Sequence, residues 1–299
     1  MLQLAIDSSA REVVQYTSNM GALPQNQVQY AHMSVSDWVN ELEMDGRTTF
    51  SLAELSVALP NLTAKNISNS LWRLTQTHRI ALVQKAFYVI VPPANRRDGL
   101  VSPYYYIDNL MRKIGREYYV GLLTAASLHG AAHQAVMTCD VVIPYPRISF
   151  SRSLNSQLNW HYRPSIPLEF LERRKTDTGY MSMSNPELTA FDLVQHSSAC
   201  GGLSAVATVL AELSESIDFR KSEGRVLSST SCATIQRLGY ILDAVIGQRE
   251  SADILYEYWR QHFTRSNYVP LSSHVAGNSP NRDKRWKVLI NVEMEIDEL

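Results

Sequence analysis

The sequence predicts an α+β protein: an N-terminal winged helix-turn-helix followed by a larger mixed α/β domain. Three observations predict it. Residues 36–91 run helix, helix, short turn, helix, hairpin, the order of a winged helix. Pro92-Pro93-Ala94-Asn95-Arg96-Arg97-Asp98-Gly99 then reads as a linker by composition. Beyond it, short strands give way to amphipathic helices with no internal repeat, which argues against a doubly wound sheet. A length of 299 residues suits two domains. The expected division is an extension over 1–33, the winged helix over 34–92, a linker over 93–103 and the α/β domain over 104–299.

Each element has a local reason. The extension is polar and weakly patterned, with one short helix expected near Arg11–Tyr16, and Met33 stands as an alternative start. Ser36 can N-cap a helix carrying Trp38, Val39 and Leu42 that stops at Asp45-Gly46. Ser51-Leu52-Ala53-Glu54 is a capping box, opening a helix with Leu52, Leu55 and Leu59 on one side, and Pro60 ends it. Thr63 can cap a third helix whose Ile67, Leu71 and Leu74 recur at helical spacing. Ile80–Val83 and Phe87–Val91, parted by Gln84-Lys85-Ala86, read as a hairpin. In the second domain helices are expected over 106–114 and 118–130. Strands are expected over 136–144, 147–151, 158–162, 168–171 and 180–184. Asn185-Pro186-Glu187 starts a helix with Pro at its first position. Helical stripes follow over 203–213, 234–246 and 252–263, then a polar loop and a last strand over 286–292.

Composition narrows the function. Apolar residues make up 45% of the chain and charged ones 19%, enough to build a core and too little charge for wholesale disorder. No run approaches the ~18 apolar residues of a membrane helix, and Met1–Asp7 lacks the basic start of a signal peptide. Cys139, Cys200 and Cys232 are far apart and form no C-x-x-C pair, so neither a disulfide framework nor a zinc ribbon is expected. A cytoplasmic protein without cofactor or metal is the expectation. The net charge of −1 conceals a polarised segment. Between Asn61 and Arg97 the basic residues are Lys65, Arg73, Arg79, Lys85, Arg96 and Arg97, and no carboxylate interrupts them.

That segment is where DNA chemistry is expected. Thr63, Lys65, Asn66, Asn69, Arg73 and Gln76 lie at the start of the third helix and on its face opposite the apolar stripe; Arg79 and Lys85 follow, the latter at the hairpin tip. Lysine and arginine neutralise phosphates, while asparagine matches the adenine edge and arginine the guanine edge in the major groove. Asn66 and Asn69 are the expected base readers, with Lys65, Arg73 and Lys85 on phosphates. Arg282, Lys284, Arg285 and Lys287 form a second candidate basic patch beside Trp286. A helix face that is merely solvated, or a winged helix that binds protein, is the competing reading.

Enzyme signals are weak. His129 and His133 stand four apart on an expected helix without the intervening Glu of a metalloprotease, so a packed or capping pair is expected. Asp140 with Glu172 and Lys175 could serve a metal-dependent nuclease, but residues three apart on a strand point to opposite faces. Asp192 sits early in a helix, where a carboxylate suits the dipole. No phosphate-binding Gly loop or nucleophile elbow occurs, and buried thiols are expected for the cysteines.

Three blocks in order carry a family resemblance. They are Tyr118–Gln134, then Asn185–Val194 with Gly201-Gly202-Leu203 and Val206–Leu213, then Arg237–Leu242. Together they resemble the AbiEi family, the antitoxins of type IV (AbiE) toxin-antitoxin systems. The resemblance implies a winged-helix DNA-binding domain and a C-terminal antitoxin domain. It also implies a regulator that represses its own operon and counteracts a nucleotidyltransferase-like toxin. Operator double-stranded DNA is the expected partner, and whether two copies meet on an inverted repeat is left open by the sequence. It carries no catalytic residues. The 33-residue extension and a wing poor in Gly and Arg depart from the family pattern.

Overall fold

The computed structural model describes residues 33–131, 138–275 and 281–294. The 1–32 part of the expected extension, with the helix expected near Arg11–Tyr16, lies outside them.

Helix α1 (Val35–Met44) is capped by Ser34, whose side chain accepts from the Asp37 amide, two residues before the expected cap. Strand β1 (Thr49–Ser51) leads into helix α2 (Leu52–Ala58). Here both halves of the Ser51–Glu54 capping box form: the Glu54 amide donates to Ser51 Oγ at 3.2 Å, and the Ser51 amide donates to Glu54 Oε2 at 2.7 Å. Helix α3 (Ala64–Gln76) begins at Thr63, which caps the Asn66 amide, and buries Ile67, Leu71 and Leu74 as its spacing demands. The hairpin of β2 (Ile80–Gln84) and β3 (Phe87–Ile90) gains β1 as a third antiparallel strand, in the order β1-β3-β2. Trp38, Phe50, Leu55, Ile67, Leu71, Leu74 and Ile80 close one core over one side of this sheet.

The other side is covered as well. Val83, Phe87, Val89 and Val91 share a core with Val101, Tyr106, Leu110 and Met111 of the following unit, on and beside helix α4 (Ile107–Ile114). The expected linker is therefore packed: Arg96 reaches back to Glu43 at 2.6 Å, and its carbonyl lies 3.2 Å from His78 Nδ1.

The larger unit is built on a mixed sheet in the order β6-β5-β4-β8-β7. Its strands are β4 (Tyr119–Val120), β5 (Cys139–Pro144), β6 (Leu158–Arg163), β7 (Leu171–Thr176) and β8 (Gly179–Ser184). The expected helix over 118–130 is corrected. Tyr119–Val120 is a fully buried central strand, and helix α5 spans only Leu122–Leu128. The expected strand over 147–151 is also absent; it precedes a short helix α6 (Arg152–Asn155) capped by Ser151. Helix α7 (Pro186–Gln195) starts at an Asn185 cap, as its sequence requires. With α8 (Leu203–Leu213), α9 (Cys232–Tyr240) and α10 (Arg249–His262) it forms the main core, closed by Trp259 and Trp286. Between α9 and α10 the backbone makes a π-helical turn over Ile241–Ile246. The expected last strand over 286–292 shrinks to β11 (Val288–Leu289), which pairs with β9 (Val269–Pro270) and β10 (Arg282–Asp283).

Candidate nucleic-acid interface

Helix α3 turns Ile67, Leu71 and Leu74 inward, so its other faces are set by the 100° step of the helix. Lys65, Asn66, Asn69, Arg73 and Gln76 all emerge exposed, as does the capping Thr63. None of them is covered by the larger unit, and among the described residues no ion pair holds Lys65 or Arg73. Lys85 is exposed in the hairpin turn, where Ala86 takes a positive φ of 56°. The turn is anchored at both flanks. Ser51 pairs with Phe87 across β1 and β3, while Ser151 Oγ donates to the Val83 carbonyl at 2.6 Å and the Ser151 amide to Gln84 Oε1 at 2.8 Å. The hairpin is thus held by the larger unit rather than left free as a wing of its own.

Two of the expected cations are used inside the fold. Arg79 is half-buried and donates to Asn40 Oδ1 and, at 3.4 Å, to Ser36 Oγ, with Glu43 3.8 Å away. The guanidinium that the sequence offers as a DNA contact ties the end of α3 to α1. Arg96 is taken by the same Glu43. The acid-free window is real in sequence, but Glu43 from outside it neutralises part of its charge. Lys65, Arg73, Lys85 and Arg97 remain exposed.

The second basic patch is partly engaged within the fold. Arg285 pairs with Asp243 at 2.9 Å and with Asp253, Lys287 Nζ donates to the Ser266 carbonyl at 2.9 Å, and Arg282 lies over the Tyr268 ring. Arg285 thus fastens the small sheet to α10 and the π turn and Lys287 ties it to the preceding loop, while Arg282 and Lys284 are exposed.

The residues weighed for enzyme chemistry are spread apart. Asp140, on β5, is buried and saturated. Its Oδ1 receives His161 Nε2 at 3.0 Å and Asn159 Nδ2 at 3.2 Å, and its Oδ2 receives Thr124 Oγ1 at 3.3 Å. Glu172 and Lys175 lie exposed on β7, three strands from β5, or roughly 14 Å at the usual strand spacing. His129 lies within hydrogen-bonding distance of the Ser184 carbonyl at 2.9 Å, and His133 lies outside the described residues. Among the described residues no group of three or more His, Cys, Asp or Glu could hold a metal ion. Cys139 and Cys200 are buried, and burial pushes the Cys200 thiol up to about 12.

Asp192 belongs to a buried network that sequence reading placed only as a helix-start carboxylate. Tyr119 donates to it at 2.6 Å, Arg163 pairs with it at 3.5 Å, and Arg163 also donates to the Tyr119 oxygen and the Ser229 carbonyl, both at 2.6 Å. Burial raises the Asp192 carboxyl to about 6 although Arg163 and Tyr119 pull it down. This network joins β4, β6, α7 and the 225–229 turn, all inside one segment.

That segment coincides with a family match: residues 119–244 fit the family model described as the AbiEi antitoxin C-terminal domain. The chain carries an AbiEi-family antitoxin domain. The match covers the five-stranded sheet with α5 to α9, so the Asp192 network is the interior of the AbiEi domain. No curated protein matches the chain. Among solved structures it is similar to the RV2827C protein from Mycobacterium tuberculosis, at 15% identity and a TM-score of 0.64 over 85% of this chain and 90% of that one. At that identity the likeness shows the fold alone, and it extends well beyond the AbiEi segment. No helix among the described residues is long and apolar enough to cross a membrane.

Trp72 and Leu82 are the surface residues that sequence reasoning passed over. Both are large, apolar and exposed beside the α3 ridge. The signal available was a tryptophan outside the apolar stripe of its helix.

Proposed function

We propose that this protein is the antitoxin of a type IV toxin-antitoxin system and a non-enzymatic, cytoplasmic autorepressor. In this reading residues 34–92 act as a winged helix-turn-helix that places α3 in the major groove of its operator, and the AbiEi domain opposes a nucleotidyltransferase-like toxin. The observation that carries the DNA half is the exposed α3 ridge of Lys65, Asn66, Asn69, Arg73 and Gln76, free of carboxylates and flanked by Lys85. The α1-β1-α2-α3-β2-β3 order supports it, being that of a winged helix. The antitoxin half rests on the family match. Two copies on an inverted repeat would double the phosphate contacts.

The test is quantitative gel-shift binding of the purified protein to DNA upstream of its reading frame, over a salt series. Phosphate contacts through Lys65, Arg73 and Lys85 require log K to fall steeply with log salt. Salt-insensitive or absent binding would favour a protein-interaction module instead. Co-expression with the adjacent reading frame tests the antitoxin half by rescue of growth.

A further inference from the structure

Trp72 is 64% exposed on α3 and Leu82 45% exposed on β2. With Leu52 and Tyr88 they line an open groove of about 370 Å³ between α2, α3 and the hairpin. An exposed tryptophan with a second exposed apolar side chain in the same groove is surface that a partner can cover. Trp72 stands three residues after Asn69 and four before Gln76, so it neighbours both on the same helical surface. Its surroundings are cationic and amide-bearing: Lys65 and Arg73 on the same helix and Lys85 at the hairpin tip, with no acid from Asn61 to Arg97. A polyanion is therefore the complementary occupant, and it must also present apolar groups. Duplex DNA does so in one place, the thymine 5-methyls on the major-groove wall. A-form RNA offers neither an open major groove nor that methyl.

We infer that Trp72, with Leu82 beside it, contacts thymine 5-methyl groups and biases the operator toward thymine next to the bases met by Asn69 and Gln76. This rests on the reading of α3 as a DNA-entering helix. The test uses full-length protein and duplexes that it enriches from a random-sequence pool, each copied with either thymidine or deoxyuridine. The wild type is expected to lose about fourfold in affinity per contacted methyl in the deoxyuridine copy. Trp72→Ala should bind both copies equally while keeping the salt dependence of the wild type, and Trp72→Phe should keep part of the difference. Because the indole is exposed, the alanine variant is expected to fold, and its far-ultraviolet circular dichroism checks this. Equal wild-type affinity for the two copies overturns the inference and leaves the DNA reading standing. So does a Trp72→Ala variant that still discriminates, or one that changes only the sedimentation coefficient, which would assign the groove to a second copy. Failure to enrich any duplex overturns both.

Discussion

Two arginines six residues apart have opposite fates. Arg73 projects from α3 into solvent, whereas Arg79 is held by Asn40, Ser36 and Glu43. Arg73→Ala is expected to weaken operator binding by ~1–3 kcal/mol in gel shifts and to leave stability unchanged. Arg79→Ala is expected to do the reverse, lowering the urea midpoint by about 1–3 kcal/mol of stability with little direct effect on DNA affinity. A second residue-scale pair concerns pH. Burial lifts Asp192 from 3.8 to about 6, so between those values the folded state keeps a proton that the unfolded state has released. Its contribution to stability therefore falls as pH rises toward 6. His196 is pushed down from 6.5 to about 4, first by burial, then by His161 and Arg163. Its contribution is present above pH 6.5 and is lost as pH falls toward 4. The two slopes oppose each other between pH 4 and 6. Asp192→Asn leaves the His196 slope unopposed, so urea unfolding should show acidification from pH 6.5 to 4.5 destabilising the variant more than the wild type, by on the order of 1–2 kcal/mol. Parallel pH profiles would refute this.

Among the elements, those with caps were the most legible. The Ser51–Glu54 box, Thr63 and the Asn185-Pro186 start are local, because each satisfies amides within three residues of itself. Elements defined by a distant partner were not legible. β1 has three residues and exists because β3 lies beside it. Tyr119–Val120 reads equally as helix until β5 and β8 flank it. β7, with Glu172-Arg173-Arg174-Lys175, has no apolar alternation at all and is a strand through its ladder with β8, its charges suiting a sheet edge. Gly239 in α9 shows close packing of the same non-local kind. A Cβ there would sit 2.1 Å from the fully buried ring of Trp286. Gly239→Ala gains helix propensity yet is expected to cost about 1–3 kcal/mol or more, because the indole is locked between α9, α10 and the small sheet. Thermal unfolding of the variant tests it; an unchanged or raised midpoint would contradict the packing.

At the scale of the molecule, the helix-and-hairpin unit and the AbiEi domain share a core through Val83, Phe87, Val89 and Val91. Cutting the chain after residue 92 would bare that apolar face of the sheet. The fragment 34–92 is therefore expected to be less stable than the same unit in the full chain and to self-associate, which sedimentation and urea unfolding would show. A monomeric fragment of undiminished stability would show that the shared core contributes little. The sequence by itself determined the α+β class, the order of the first three helices and the hairpin, the polar ridge of α3 and the AbiEi resemblance, because helical period, caps and charge are written within a few residues of each other. Only the tertiary structure decided which cations stay free, that the expected linker is packed, and that Asp140 and Asp192 are held in saturated networks. Each of those depends on a partner many positions away, such as Glu43 for Arg96 or Tyr119 for Asp192, and chain folding alone brings such partners within bonding distance.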